Sequence, residues 1–255
     1  VNDYYPFEVS LWNTKEKGDF SLEYKLKREH QLKIIDLESF WQQLPDNNLN
    51  TEQQFIHAYQ TLLKSIQVHI DNLEIYQIST EELVEDSDAL AYIIFAKTKT
   101  DDWLAISTAL SGIWKQDSNS SLIFDIRDFA LSKPDNQELV LAIEKAIDKA
   151  NTLIPSRNDV SHFVWEIAEN RNSVFLNLLV KTKYFTIQEY FYDNEDEEHE
   201  DIFEFDESTT QLVNTELTNL RYYFFGSVFM DVYLVGETKY GDWISIKSTV
   251  VEYFQ

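Results

Sequence analysis

Cysteine is absent from the 255 residues. That excludes disulfides, thiolate metal sites and cysteine nucleophiles, and it fits a reducing compartment. The cytoplasm is the expected location, with a periplasmic one left open. Glycine and proline are scarce, at 5 and 4 residues. The chain therefore reads as regular elements with few flexible linkers, and it carries no glycine-rich phosphate loop and no nucleophile elbow. No apolar run approaches the roughly 18 residues of a bilayer span. Nothing signal-like follows Val1, and an upstream leader or helix is left open. Basic residues are the last scarcity: 21 Lys and Arg stand against 45 Asp and Glu, a formal charge of −24. Such a surface repels nucleic acid and anionic lipid and draws in a basic protein partner.

What is present supports packed cores, with 44% hydrophobic and 15% aromatic residues. The organising feature is a hairpin, Asp231–Glu252. Its period-two positions Val232, Leu234, Ile244 and Ile246 are apolar, and Gly236 and Gly241 mark expected bends. The same pattern occurs at Ala91–Thr108. Without a gap, Thr98, Lys99, Asp102, Trp103 and Ile106 fall on Thr238, Lys239, Asp242, Trp243 and Ile246. A spacing of about 140 residues indicates a duplicated domain rather than a short solenoid repeat.

The predicted fold class is α+β: two tandem α-β-α sandwich domains, each with an antiparallel sheet and packed helices. One unit spans 1–110 and lacks an N-terminal helix, 111–133 is a junction, and 134–255 forms the second unit. A strand is expected through Trp12, with Phe7, Val9 and Leu11 on one face and Glu8, Ser10 and Trp12 on the other. A second strand is expected near Phe20–Lys27, then a third at Lys33–Leu37 with a short helix to Leu44. Thr51 and Gln54 have capping-box spacing before a helix whose stripe is Phe55, Tyr59, Leu62, Leu63, Ile66 and Ile70. Leu73–Ile78 reads as a strand and Glu81–Asp88 as an acidic loop. Pro134–Leu153 reads as a helix with Leu139, Ile143, Ala146, Ile147 and Ala150 on one face. In the second copy Trp165 is set in the place of Trp12, Ser173–Lys181 in that of the second strand, and Lys183–Phe191 in that of the third. Ser208–Asn219 is a weaker counterpart of the long helix.

Asp193–Glu207 forms an acidic insertion with ten carboxylates in fifteen residues and no Lys or Arg. Like-charge blocks of this kind are solvated loops or interaction segments. Asp193, Glu195, Asp196, Glu197 and Glu198 are therefore candidate partner-binding residues, and Ile202, Phe203 and Phe205 point to an edge strand. The run lacks the glycine and spacing of a calcium loop. The five histidines show no zinc-helix spacing, and His57 and His69 read as ordinary helix residues. Trp103 and Trp243 read as packing residues because they repeat with the fold. No catalytic, cofactor-binding or metal-ligating residues emerge, so an enzyme is not expected.

Tyr5–Trp12 (YPFEVSLW), Lys33–Trp41 (KIIDLESFW) and the closing strands of Asp231–Glu252 resemble the nuclease A inhibitor family, small acidic bacterial proteins. Laid down twice, the resemblance covers most of the chain, with the second copy diverged. It implies a helix-and-antiparallel-sheet sandwich and inhibition of sugar-non-specific endonucleases of the ββα-metal class, without a cofactor. It also implies that binding uses acids beside the first strand together with the C-terminal end, here Asp3, Tyr5, Glu8 and Glu252. The second copy reads Asp159–Trp165 at that place, with neither Pro nor Glu. The expected function is therefore blockade of a basic nuclease cleft, with an immunity role as one form of it and the first copy as the binder. The competing expectation is a non-inhibitory interaction module that kept the fold and binds another partner.

Overall fold

A computed structural model describes residues 7–18, 20–43, 50–78, 91–110, 137–153, 160–182, 185–189, 203, 205–226 and 229–251. In the first half these form β1 (Glu8–Trp12), α1 (Thr14–Lys17), α2 (Leu22–Arg28), β2 (Leu32–Ile35), α3 (Leu37–Gln43), α4 (Asn50–Ile66), β3 (Ile70–Ile78), β4 (Ala91–Thr98) and β5 (Trp103–Leu110). The second half contributes α5 (Gln137–Asn151), β6 (Val160–Ala168), α6 (Arg171–Thr182), β7 (Phe185–Glu189), α7 (Glu207–Glu216), β8 (Leu217–Gly226), β9 (Phe229–Thr238) and β10 (Trp243–Val251).

The strands build two antiparallel five-stranded sheets, and the chain is a tandem α+β protein. Their order is β2-β3-β4-β5-β6 in one and β1-β10-β9-β8-β7 in the other. The two halves have exchanged their first strands. β1 leaves the first half to pair with β10, and β6 leaves the second half to pair with β5. Each sheet thus holds four consecutive strands of one half and the opening strand of the other, so the sheets do not follow the 1–110 and 134–255 division. The junction 111–133 lies outside the described residues.

Helices and sheets stack in five layers. α2 and α6 lie between the sheets, where Leu22, Leu26, Val174, Phe175, Leu178 and Leu179 meet Tyr76, Ile93 and Phe95 of one sheet and Tyr223, Tyr233 and Val235 of the other. α3, α4 and α5 cover the outer face of the first sheet. α7, with Phe203 and Phe205, lies on the outer face of the second. This explains the continuous apolar runs at Tyr92–Ala96, Tyr222–Phe225 and Val232–Val235. These strands are covered on both faces, so alternation disappears. The predicted stripe of α5 is buried along Leu139, Ile143, Ala146, Ile147 and Ala150.

The hairpin repeat is a turn repeat. Thr98 and Thr238 each accept a hydrogen bond at Oγ1 from the amide of Asp102 or Asp242, at 3.0 and 3.2 Å. Asp101 and Gly241 occupy the same left-handed position at φ 71° and 81°. Gly241 marks a bend as expected, whereas Gly236 sits inside β9. There a Cβ would come within 2.8 Å of Leu220 Cδ2, where β8 bulges between Thr218 and Arg221.

Several expectations are corrected. The second strands expected near Phe20–Lys27 and Ser173–Lys181 are helices α2 and α6. Leu22 and Leu26 are four apart on one face, and Ser21 caps the first turn through Tyr24 N. Trp165 does not occupy the place of Trp12. Trp12 stands opposite Trp243, whereas Ala168 stands opposite the equivalent Trp103. Phe203 and Phe205 are not in a strand; their rings stack at 5.3 Å and Phe203 is buried. α7 ends at Glu216, and Leu217 already belongs to β8.

Candidate functional site

β1 is an edge strand. On its inner face Trp12 is buried, donates from Nε1 to Gly18 O at 2.9 Å and meets Phe20 and Tyr24 edge-on. Two residues earlier, Ser10 Oγ accepts from Lys25 Nζ at 2.9 Å. Glu8 continues this row at the far end of β1, exposed and directly across from Lys247 of β10. Of the candidate partner-binding residues only Glu8 is described. Asp3, Tyr5, Asp193, Glu195, Asp196, Glu197, Glu198 and Glu252 lie outside the described residues.

Beside Glu8 lies a cluster of paired charges. Lys247 Nζ reaches Asp231 at 3.0 Å and Glu29 at 3.4 Å, and Lys25 Nζ reaches Glu29 at 2.7 Å. Tyr233 donates to Glu29 and lies 2.9 Å from Gln31 Oε1, and Gln31 Nε2 donates to Asp231. Burial disfavours the Glu29 carboxylate, yet the hydrogen bonds from Lys25 and Tyr233 hold its pKa below the ordinary value. Burial likewise opposes the Lys247 ammonium, and Asp231 more than compensates, raising its pKa. Burial, then the charges of Glu29 and Asp231, push the Tyr233 hydroxyl up. The two lysines are thus matched by Glu29 and Asp231. Among the described residues no hydrogen bond or ion pair engages Glu8, so its carboxylate is the surplus charge at this edge. It can offer an acceptor to a cation without breaking an existing pair.

The other sheet does not repeat this arrangement. In the register that sets Trp103 beside Trp243, Lys247 corresponds to Ser107, and the residue across from Ser107 is Val164. At this position a carboxylate therefore stands on one of the two exchanged strands and an apolar side chain on the other, while Glu166, two residues along β6, is paired with Lys181. Glu8 belongs to the first half in sequence, but its strand is held by the second half's sheet.

A second charged cluster joins the halves. Glu23 of α2 is buried and accepts from Arg171 Nε at 3.0 Å, from an Arg171 terminal nitrogen at 2.7 Å and from Lys27 at 2.6 Å. Arg171 also bonds Glu74 and lies over the rings of Phe95 and Trp103, 4.4 and 4.5 Å from their centroids. Burial penalises the Glu23 carboxylate, but the hydrogen bonds of Arg171 and Lys27 outweigh it and bring its pKa to about 2. A cleft of about 300 Å³ opens nearby, bordered by Phe20, Glu23, Arg221, Tyr223 and Trp243. Sequence reasoning missed both clusters because it took α2 for a strand. The available signal was the i,i+4 pairing of Glu23 with Lys27 and of Lys25 with Glu29.

Trp103 and Trp243 pack against the central core as expected. His57 lies in α4 and His69 in the turn that follows it. No group of three or more potential metal ligands occurs among the described residues, and no described helix is long and apolar enough to cross a membrane.

A family model described as nuclease A inhibitor-like protein matches residues 2–111 and 168–253. No curated protein and no solved structure matches the chain.

Proposed function

Because the chain belongs to the nuclease A inhibitor-like family, we propose that it blocks the basic active-site cleft of a sugar-non-specific ββα-metal endonuclease, as a binding protein rather than an enzyme. The family match is the observation that carries this reading. Charge makes it physically coherent. A non-specific nuclease grips the phosphate backbone through basic groups, and a protein of net charge −24 can present carboxylates where phosphates would sit. Attraction at a distance speeds encounter, and salt weakens it.

Glu8 is the proposed point of contact, with Asp3 and Tyr5 before it in sequence and Glu252, the residue after Val251, as a further candidate. The acidic run Asp193, Glu195, Asp196, Glu197 and Glu198 supplies further steering charge. Since Val164 stands where a second Glu8 would be, one nuclease per chain is the expected stoichiometry. A gene encoded beside its nuclease would make the protein an immunity partner, acting in the cytoplasm.

Titration of the protein into a ββα-metal endonuclease from the same organism tests the proposal. Stoichiometric loss of DNA and RNA cleavage is expected, with affinity falling as salt rises from low to moderate. Full nuclease activity in large excess of folded protein would reject inhibition of that enzyme and favour an interaction module with another partner.

A further inference from the structure

The inner faces of the two sheets repeat one constellation with its charges reversed. On the first sheet Glu74 of β3 stands across from Phe95, and Tyr76 across from Ile93. In the register that sets Trp103 beside Trp243, their counterparts are Arg221 and Tyr223 of β8, across from Val235 and Tyr233. Lys97, across from Trp103, has Glu237, across from Trp243, as its counterpart. A carboxylate is thus exchanged for a guanidinium, and an ammonium for a carboxylate. The first constellation shows what such a place can hold. There the flat Arg171 guanidinium lies over Trp103 and Phe95 and bonds Glu74 at 2.7 Å. Arg171 is the first residue of α6, the helix between the sheets that follows β6; the first residue of α2, the one that follows β1, is Leu22. Leu22 has no polar group to lay over Trp243. The cleft of about 300 Å³ opens at this place, and the Phe20 ring on its border lies 5.8 Å from that of Trp243.

We propose that this cleft binds a free aromatic α-amino acid, with its ring against Phe20 and Trp243, its carboxylate at Arg221 and its ammonium at Glu237. The reversal from Glu74 to Arg221 calls for an anion where the other constellation takes a cation. An anion cannot lie over an indole as a guanidinium does, because the ring face is negative. The part of the ligand over Trp243 must therefore be uncharged and flat, with the acid beyond it. Burial pushes the Tyr223 hydroxyl up, and the charge and hydrogen bond of Arg221 oppose that rise, which places the guanidinium beside the ring. A guanidinium offers several donors, so a bond to Tyr223 is compatible with one to a carboxylate. Glu237 accepts from the neutral Asn219 at 2.9 Å and adds an acceptor for an ammonium. The other acid of the cleft, Glu23, is matched by Arg171 and Lys27. A zwitterion also carries no net charge, so a protein of −24 does not repel it as it would a simple acid. The inference does not depend on the nuclease reading and stands if no nuclease is inhibited.

The test titrates the full chain, by calorimetry, with phenylalanine and with its two halves in charge: phenylpropionate, which lacks the ammonium, and phenethylamine, which lacks the carboxylate. Phenylalanine is expected to bind one-to-one and about fivefold or more tighter than either fragment. Arg221→Gln should weaken phenylalanine and phenylpropionate by about fivefold or more and leave phenethylamine unchanged. Glu237→Gln should do the converse, weakening phenylalanine and phenethylamine and sparing phenylpropionate. A merely structural role for either residue would move all three ligands together. The photoreactive azido derivative of phenylalanine should label Phe20, Leu176 or Trp243, which gives an answer even if a variant is poorly folded. The proposal is overturned by no saturable binding of phenylalanine up to about 10 mM, or by substitutions that affect the three ligands alike. Labelling elsewhere would also overturn it, as would phenylpropionate binding as tightly as phenylalanine, which would assign the cleft to plain aromatic acids.

Discussion

Glu23 and Arg171 stand 148 positions apart in sequence and form a two-pronged ion pair at 2.7 and 3.0 Å between the sheets. One helix of each half meets here, and the guanidinium lies over the stacked rings of Phe95 and Trp103. Planarity matters at such a site. Two N–H groups reach one carboxylate while the flat face covers aromatic carbon, and an ammonium can do only part of this.

Arg171→Lys is therefore expected to destabilise the fold by about 2 kcal/mol although charge is kept. Lysine cannot make both bonds to Glu23, reach Glu74 and stack on Trp103 at once. Urea unfolding followed by tryptophan fluorescence reads both the loss of stability and the changed environment of Trp103. An unchanged midpoint would show that the pair contributes nothing beyond its charge.

Acid should weaken the protein through the same carboxylate. The folded pKa of Glu23, about 2, lies below its ordinary value of 4.5. A depressed carboxyl contributes stability that is present above the ordinary value and is lost as pH falls through the window down to the folded value. The expected contribution is on the order of 2–3 kcal/mol, fading from about pH 5 to about pH 2. Glu23→Gln should lower stability at neutral pH and flatten this part of the stability-versus-pH curve. Parallel curves for the two proteins would assign the acid transition to other carboxylates.

The strand exchange predicts how the chain behaves when divided. Residues 1–133 would carry β1 without its β10 partner, and residues 134–255 would carry β6 without β5. Co-expressed, the two pieces should assemble into a one-to-one complex, because each completes the other's sheet and the central core draws on both. Size-exclusion chromatography with one tagged piece reads this directly. Two pieces that run as separate folded monomers would refute the exchange.

Much of this architecture was legible because its patterns are local. The α5 stripe repeats at helical spacing, β1 alternates, and the Thr-to-Asp turns recur with the same Thr, Lys and Asp. In the stretches misread as strands, Phe20, Leu22, Tyr24 and Leu26, and Val174, Leu176, Leu178 and Val180, alternate in sequence, although α2 and α6 are helices. Only the tertiary setting between two sheets decides for helix. The exchange itself was hidden for a different reason. Both hairpins offer an isoleucine to the incoming strand, Ile106 or Ile246, and either is compatible with Val9 or Trp165. Periodicity fixes which face is apolar, not which of two like edges a strand joins. Glu8 was legible as a motif residue, but its isolation from nearby lysines was not. That depends on Lys247 being held by Glu29 and Asp231, residues distant in sequence.

That isolation gives the functional prediction its control. Glu8→Lys reverses a carboxylate that no described partner engages, so the fold should be retained and inhibition should weaken about tenfold or more. Asp3→Lys in the same protein should weaken it further if both acids face the nuclease. The same change in net charge can be made at Glu144, exposed on α5 of the other sheet. Glu144→Lys should alter the salt-dependent association rate slightly and leave dissociation untouched, because distant charge acts on encounter and contact charge acts on the complex. Rates from stopped-flow or surface binding separate the two. If Glu8→Lys with Asp3→Lys dissociates no faster than Glu144→Lys, the first strand is not the contact, and the acidic run from Asp193 becomes the segment to substitute.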